Sequence, residues 1–126
     1  MKVGIPTLGN SGLDEIVSPH LGRAPTFTVV NVETGEVSVV PNTSRHAGGR
    51  GNAPEQLAEN GVQVVLCSGL GSRAIEMFEQ FGIKVFVGAE GTVREALEKW
   101  MSGELREATD RDACEQHRHT VPRRRG

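Results

Sequence analysis

The sequence contains no tyrosine, one tryptophan and four phenylalanines in 126 residues. Its core must therefore be built from valine, isoleucine and leucine rather than from rings. Cysteine is scarce too: Cys67 and Cys114 are the only two, and they lie far apart. A chain of this length can bury a core without staples, so two distant thiols do not read as a disulfide framework. Neither sign of charge is in large excess, with 14 Lys and Arg against 16 Asp and Glu for a net charge of −2. A general nucleic-acid binder needs a basic surplus to neutralise phosphates, and none exists here. The run Arg123-Arg124-Arg125 sits at the very end and reads as a tail. No apolar run approaches the length of a membrane span, and the residues after Met1 carry no signal-type apolar region. The expectation is one soluble domain in a reducing cytoplasm.

What is present is a regular alternation of apolar runs and glycine-rich loops. Lys2–Pro6 reads as a first strand, stopped by Pro6, Gly9 and Gly12. Thr26–Glu33 and Glu36–Val40 are rich in β-branched residues around the turn Thr34-Gly35, a hairpin signal. Asn52, Pro54 and Glu55 open a short helix with Leu57 and Ala58 inward, ending at Asn60-Gly61. Val62–Cys67 is nearly all apolar, as suits a strand buried on both faces. A second helix follows, with Ala74, Ile75, Phe78 and Phe81 inward, and then a strand at Ile83–Val87. Thr92 and Glu95 form a capping-box signature before Val93, Ala96, Leu97, Trp100 and Met101, which fall on one helical face. Residues 104–126 are polar and aperiodic and read as a disordered tail after a single domain over 1–103.

Strand-strand-strand-helix-strand-helix-strand-helix implies an α/β fold with a five-stranded mixed sheet. The expected order is 3-2-1-4-5, with strand 2 antiparallel and helices on both faces, a ribonuclease H-like layout. A ribonuclease H-like nuclease holds two metals on carboxylates of the central strands, and the first strand has none. No phosphate-binding P-loop occurs. Gly49-Arg50-Gly51 lacks the third glycine and the βαβ context of a dinucleotide fingerprint.

Two loops stand out. Ser18-Pro19-His20-Leu21-Gly22-Arg23-Ala24 follows the first strand, and Arg45-His46-Ala47-Gly48-Gly49-Arg50-Gly51-Asn52 follows the third. Each sets a histidine and at least one arginine beside glycine. Ligands of open α/β sheets sit beyond the carboxyl ends of the parallel strands. The proposed strand order brings both loops to that rim, beside the turn Ser68–Ser72 that opens the second helix. Helix N–H groups and guanidinium groups there suit a small anion or an anionic metal species. Read alone, each loop is equally an ordinary turn with solvated arginines.

Two cysteine motifs invite chemistry. Cys67 ends a strand before a helix N-terminus, a position that can lower a thiol pKa, and His20 or His46 could serve it as base in a hydrolase or transferase. The competing reading is a small core residue. Cys114-Glu115-Gln116-His117-Arg118-His119 spaces Cys114, His117 and His119 as transition-metal ligands, or as incidental residues of a tail.

Gly4-Ile5-Pro6-Thr7, Val17–Phe27 (V-S-P-H-L-G-R-A-P-T-F), the His46 loop and Val64–Ile75 (V-V-L-C-S-G-L-G-S-R-A-I) together resemble the dinitrogenase iron–molybdenum cofactor biosynthesis family over about residues 1–102. Where that family usually has F-G-R-A, this chain has Leu21-Gly22-Arg23-Ala24. The resemblance implies a ribonuclease H-like fold. It also implies non-catalytic carriage of an anionic molybdenum-containing metal–sulfur cluster, with iron or copper. The carriers of nitrogenase cofactor assembly and the molybdenum–copper orange proteins are its two models. Cluster donor or acceptor proteins are the implied partners, without nucleic acid or membrane. The expected site comprises His20, Gly22, Arg23, Arg45, His46, Gly49, Arg50, Ser68, Gly69, Gly71 and Arg73. His20, His46 and Cys67 are the metal-ligand candidates, with Cys114, His117 and His119 in the tail. Two cysteines are too few for a cluster held by four thiolates, so electrostatics and imidazole would carry most of the binding. A metal-free interaction module remains the third reading.

Overall fold

The computed structural model describes residues 1–43 and 52–108. They form one sheet of six strands: β1 (Lys2–Thr7), β2 (Thr26–Asn31), β3 (Val37–Pro41), β4 (Val62–Cys67), β5 (Lys84–Val87) and β6 (Arg106–Ala108). The order is β3-β2-β1-β4-β5-β6. β1, β4 and β5 run parallel, and β2 lies antiparallel between β1 and β3. Three helices connect them: α1 (Ala53–Glu59), α2 (Ser72–Gln80) and α3 (Val93–Met101).

The predicted order of five strands and the antiparallel β2 are present. A sixth strand joins the five expected ones, within the stretch read from sequence as tail. β6 pairs antiparallel with β5, Phe86 opposite Glu107; Leu105 just before it and Ala108 at its end are buried. Arg106-Glu107-Ala108 gives no strand signal because it is three residues long and charged. Charge is what an edge strand carries to avoid pairing with another chain.

Alternation along the strands builds two cores, one on each face of the sheet. Val65 and Cys67 of β4 join Phe27, Leu57, Ile75 and Phe78, so α1 and α2 cover one face. Val64 and Leu66 join Val3, Ile5, Val93, Ala96 and Leu97 beneath α3. That double burial is why β4 reads as a continuous apolar run. The pairing of β1 with β4 slips once, Lys2 opposite Val62 but Val3 opposite Val64. The slip explains how Val62 and Val65 both reach the α1–α2 core. Gly4 in β1 faces α1, where an added Cβ would stand 3.2–3.3 Å from Val62 and Leu57. Glycine there lets α1 approach the sheet.

Two residues predicted inward are not. Phe81 is 45% exposed and Met101 62% exposed. Phe81 is the C-cap of α2, already out of helical phase, and Met101 is the last residue of α3. The capping box of α3 is present, with Glu95 N–H donating to Thr92 Oγ1 at 3.1 Å and Thr92 N–H to Glu95 Oε1 at 2.9 Å. Thr92→Ala should therefore cost about 1 kcal/mol, read as a lower midpoint in urea denaturation.

Candidate functional site

The chain leaves β1 toward β2 and β3 on one side, then returns to β4 on the other. The order thus reverses between β1 and β4, and ligands of open sheets bind beyond the strand ends at such a reversal. A cleft of about 890 Å³ lies there, walled by Pro19–Ala24 after β1, by Gly69–Gly71 after β4, and by Asn42 after β3.

The wall after β1 is shaped by three buried anchors at every third residue. Ser18, Leu21 and Ala24 are buried, while His20, Gly22 and Arg23 between them are exposed. Leu21 packs into the α1–α2 core. An apolar anchor is what this position requires, so leucine serves where phenylalanine is usual in the resembling family. Ser18 N–H donates to Pro6 O at 2.8 Å, tying the loop to β1. Its hydroxyl accepts from His20 N–H at 3.2 Å and lies 3.0 Å from His20 O, which fixes the backbone under the imidazole.

Two further side chains hold the walls together. Ser68 Oγ donates to Pro19 O at 3.1 Å, bridging the turn after β4 to the loop after β1. Asn42 Nδ2 donates to Ala24 O at 2.7 Å and to Gly22 O at 3.3 Å, pinning the turn that carries Arg23. Asn42 is not among the residues predicted for the site. Its only signal was its place directly after an edge strand, which many turn asparagines share.

The third wall opens a helix. Gly71 is the N-cap of α2 and supplies no side-chain cap, and no acidic residue lies in the first turn. The other two helices are closed. Asn52 caps α1 by accepting from Glu55 N–H at 2.9 Å, and Thr92 caps α3, with Glu55 and Glu95 in the respective first turns. The first N–H groups of α2 thus carry the unopposed positive end of the helix dipole at the edge of the cleft. Arg73 is exposed in that same first turn.

Of the predicted site residues, the structure brings His20, Gly22, Arg23, Gly69 and Gly71 together in the cleft wall, with Ser68 as its brace. Arg73 lies next to it on α2 but does not line it. Arg45, His46, Gly49 and Arg50 fall outside the described residues, as do Cys114, His117 and His119. Among the described residues no three His, Cys, Asp or Glu side chains gather as a metal-binding group.

Cys67 sits elsewhere. It is 1% exposed, packed in the α1–α2 core, and absent from the cleft wall. Burial pushes its thiol up from 9.0 to about 12, only partly opposed by a hydrogen bond from Gly69 N–H. The position before a helix N-terminus was expected to lower this pKa. Desolvation dominates instead, and it disfavours Cys67 both as nucleophile and as exposed ligand. In a Cys114→Ser variant, Cys67 should resist iodoacetamide at pH 8 until denaturant is added. Only about one thiol in ten thousand would be ionised at that pH. Because the folded pKa is raised, ionisation leaves stability untouched below pH 9. It erodes stability as pH rises from about 9 toward about 12. Cys67→Ala should remove that alkaline component from the pH profile of denaturant midpoints.

A second cavity, of about 600 Å³, lies beside α3 among Glu90, Glu95, Glu98, Lys99 and Glu104. Its excess of carboxylates makes it a poor place for an anion, in contrast to the first cleft. No helix among the described residues is long and apolar enough to cross a membrane.

Comparison with known proteins identifies the family and similar folds. Residues 1–103 match the family described as dinitrogenase iron-molybdenum cofactor. A protein of Methanocaldococcus jannaschii, itself uncharacterised, is 30% identical over 110 residues, 83% of this chain and 89% of that one. The apo form of the orange protein from Desulfovibrio gigas superposes with a TM-score of 0.76 at 33% identity, over 85% of this chain and 92% of that one. A provisional NifB protein from Thermotoga, placed in the DUF35 family, gives a TM-score of 0.73 at 34% identity, over 84% and 91% of the two chains. The chain belongs to the dinitrogenase iron–molybdenum cofactor family.

Proposed function

We propose that this protein binds and carries, without catalysis, an anionic molybdenum-containing metal–sulfur cluster, with iron or copper as the second metal. The observation that carries this reading is the uncapped N-terminus of α2 in the wall of a cleft shared with His20 and Arg23. A cluster of negative charge gains there from helix N–H groups, from a guanidinium group and from an imidazole, a group that can ligate copper or iron. Family membership and the likeness to the orange protein support the choice of anion. The residues present fit such cargo: among the described residues the cleft wall offers polar main chain, one cation and one imidazole, and no carboxylate.

Arg45, His46, Gly49, Arg50 and Arg73 belong to the proposed site as well, on their residue types and the family resemblance. Cys114, His117 and His119 form a proposed accessory metal group on a tail beyond the domain. The ribonuclease H-like assignment of the fold, a cytoplasmic location and cluster donor or acceptor partners belong to the same reading.

The test is metal analysis of protein expressed with molybdate, copper and iron in the medium. Molybdenum retained through gel filtration, with visible charge-transfer absorption, is the expected result. Protein that retains no molybdenum, and takes none up from tetrathiomolybdate with copper(I), contradicts the reading. His20→Ala together with His46→Ala should weaken uptake or change the spectrum. Unchanged uptake and spectrum would mean that the site is elsewhere.

A further inference from the structure

Glycines in this fold divide by what requires them. Gly12, Gly35, Gly61, Gly82, Gly88, Gly91 and Gly103 have φ between +67° and +99°, where other residues are strained. Gly4 has no room for a Cβ without displacing Val62 or Leu57, and at Gly9 a Cβ would stand 2.7 Å from Glu15 Oε1. The remaining described glycines are Gly22, Gly69 and Gly71. None has a left-handed φ, and a Cβ on any of them meets nothing within 4 Å. Among the described residues neither the backbone nor the packing calls for glycine at these three positions, and all three line the cleft.

We propose that Gly22, Gly69 and Gly71 are specificity-determining residues. Their bare main chain keeps the two walls of the cleft clear for a bulky polynuclear anion in preference to a mononuclear one. The proposal rests on the anion-binding reading of the cleft and adds which members of that class it selects. Gly22 comes from the wall after β1, and Gly69 and Gly71 from the wall after β4, so methyl groups here narrow the cleft from both sides. A compact tetrahedral anion fits between walls narrowed in this way. An elongated one touching both does not. Alanine keeps every main-chain N–H and adds no charge, so a loss confined to the larger anion is steric.

The experiment compares the full-length chain with its Gly22→Ala/Gly69→Ala/Gly71→Ala variant and with each single variant. Two probes are titrated by visible absorption and by molybdenum retained on ultrafiltration. One is tetrathiomolybdate alone. The other is the adduct in which one copper(I) joins two tetrathiomolybdate dianions, a trianion formed without electron transfer. Thermal melting should be unchanged or slightly raised for Gly22→Ala and Gly69→Ala, because alanine fits those backbone conformations, and slightly lowered for Gly71→Ala and the triple variant, because alanine is a poorer N-cap than glycine. The triple variant should bind the adduct at least about tenfold more weakly than the parent, with tetrathiomolybdate affinity unchanged. The single variants should each show part of that loss, and they carry the test should the triple variant melt early. Equal adduct affinity in parent and variants overturns the size role while leaving the anion site standing. Equal weakening of both probes also overturns it, since it would assign the glycines to main-chain contacts common to both anions. A parent that binds neither probe overturns the anion site itself.

Discussion

Gly71→Asp is expected to make the protein more stable and to abolish most of its anion binding. Aspartate is among the best N-cap residues, and Gly71 already has the extended backbone that a cap requires, with φ −77° and ψ 164°. Its carboxylate would accept from the first-turn N–H groups and oppose the helix dipole, for a gain of about 0.5 kcal/mol, or roughly 2 °C in melting temperature. The same carboxylate would occupy the donors and put a negative charge in the cleft wall. Loss of charge-assisted hydrogen bonds with added like-charge repulsion predicts a drop of about 100-fold in affinity for tetrathiomolybdate–copper adducts. Paired thermal melts and titrations check both halves. α1 and α3 use side-chain caps, so the missing cap on α2 is a choice at this helix and not a habit of the chain. A variant that melts higher yet binds as well as the parent would show that the α2 N-terminus plays no part.

Arg23→Glu carries the second large effect. Arg23 is exposed and its turn is held by main-chain anchors and by Asn42, so reversal of its charge should leave the melting temperature within about 1 °C. Affinity for an anionic cluster should fall about 100-fold at low ionic strength, because the change replaces attraction by repulsion at one wall of the cleft. The deficit should shrink in 0.5 M salt, where the screening length is only about 4 Å. Arg23→Lys should retain part of the affinity, since the charge persists without the planar fork. Titrations of the three proteins at two salt concentrations separate a Coulombic role from a packing role. A loss independent of salt would point to packing.

The legible part of this fold came from elements whose signals are local or whose burial is extreme. β4 announced itself through Val62–Cys67 because both its faces are covered. The cap of α3 was readable because Thr92 and Glu95 satisfy each other within one turn. β6 was not, because its place in the sheet depends on Leu105 and Ala108 reaching two different cores, a long-range fact with no local pattern. The site shows the same division. His20 and Arg23 stood out by residue type, and topology brought their loop to the turn at Gly69–Gly71. Ser68 bridges to Pro19 across 49 residues, and Asn42 to Ala24 across 18, as hydrogen bonds that no motif encodes. Cys67 misled for a related reason. Its sequence neighbours describe a helix N-terminus, but its pKa is set by Phe27, Ile75, Phe78 and the rest of a core assembled from the whole chain.

The most direct measurement is a proton–nitrogen correlation spectrum of the full-length protein titrated with the tetrathiomolybdate–copper(I) adduct. The amides of Pro19–Ala24 (His20 onward, since proline has none) and of Gly69–Ala74 should shift together and saturate with one affinity. Amides around Glu90, Glu95 and Glu104 beside the acidic cavity should stay in place. Shifts confined to that acidic cavity or to the C-terminal tail, or no shifts at the loop after β1 and the start of α2, would contradict an anion site between β1 and β4.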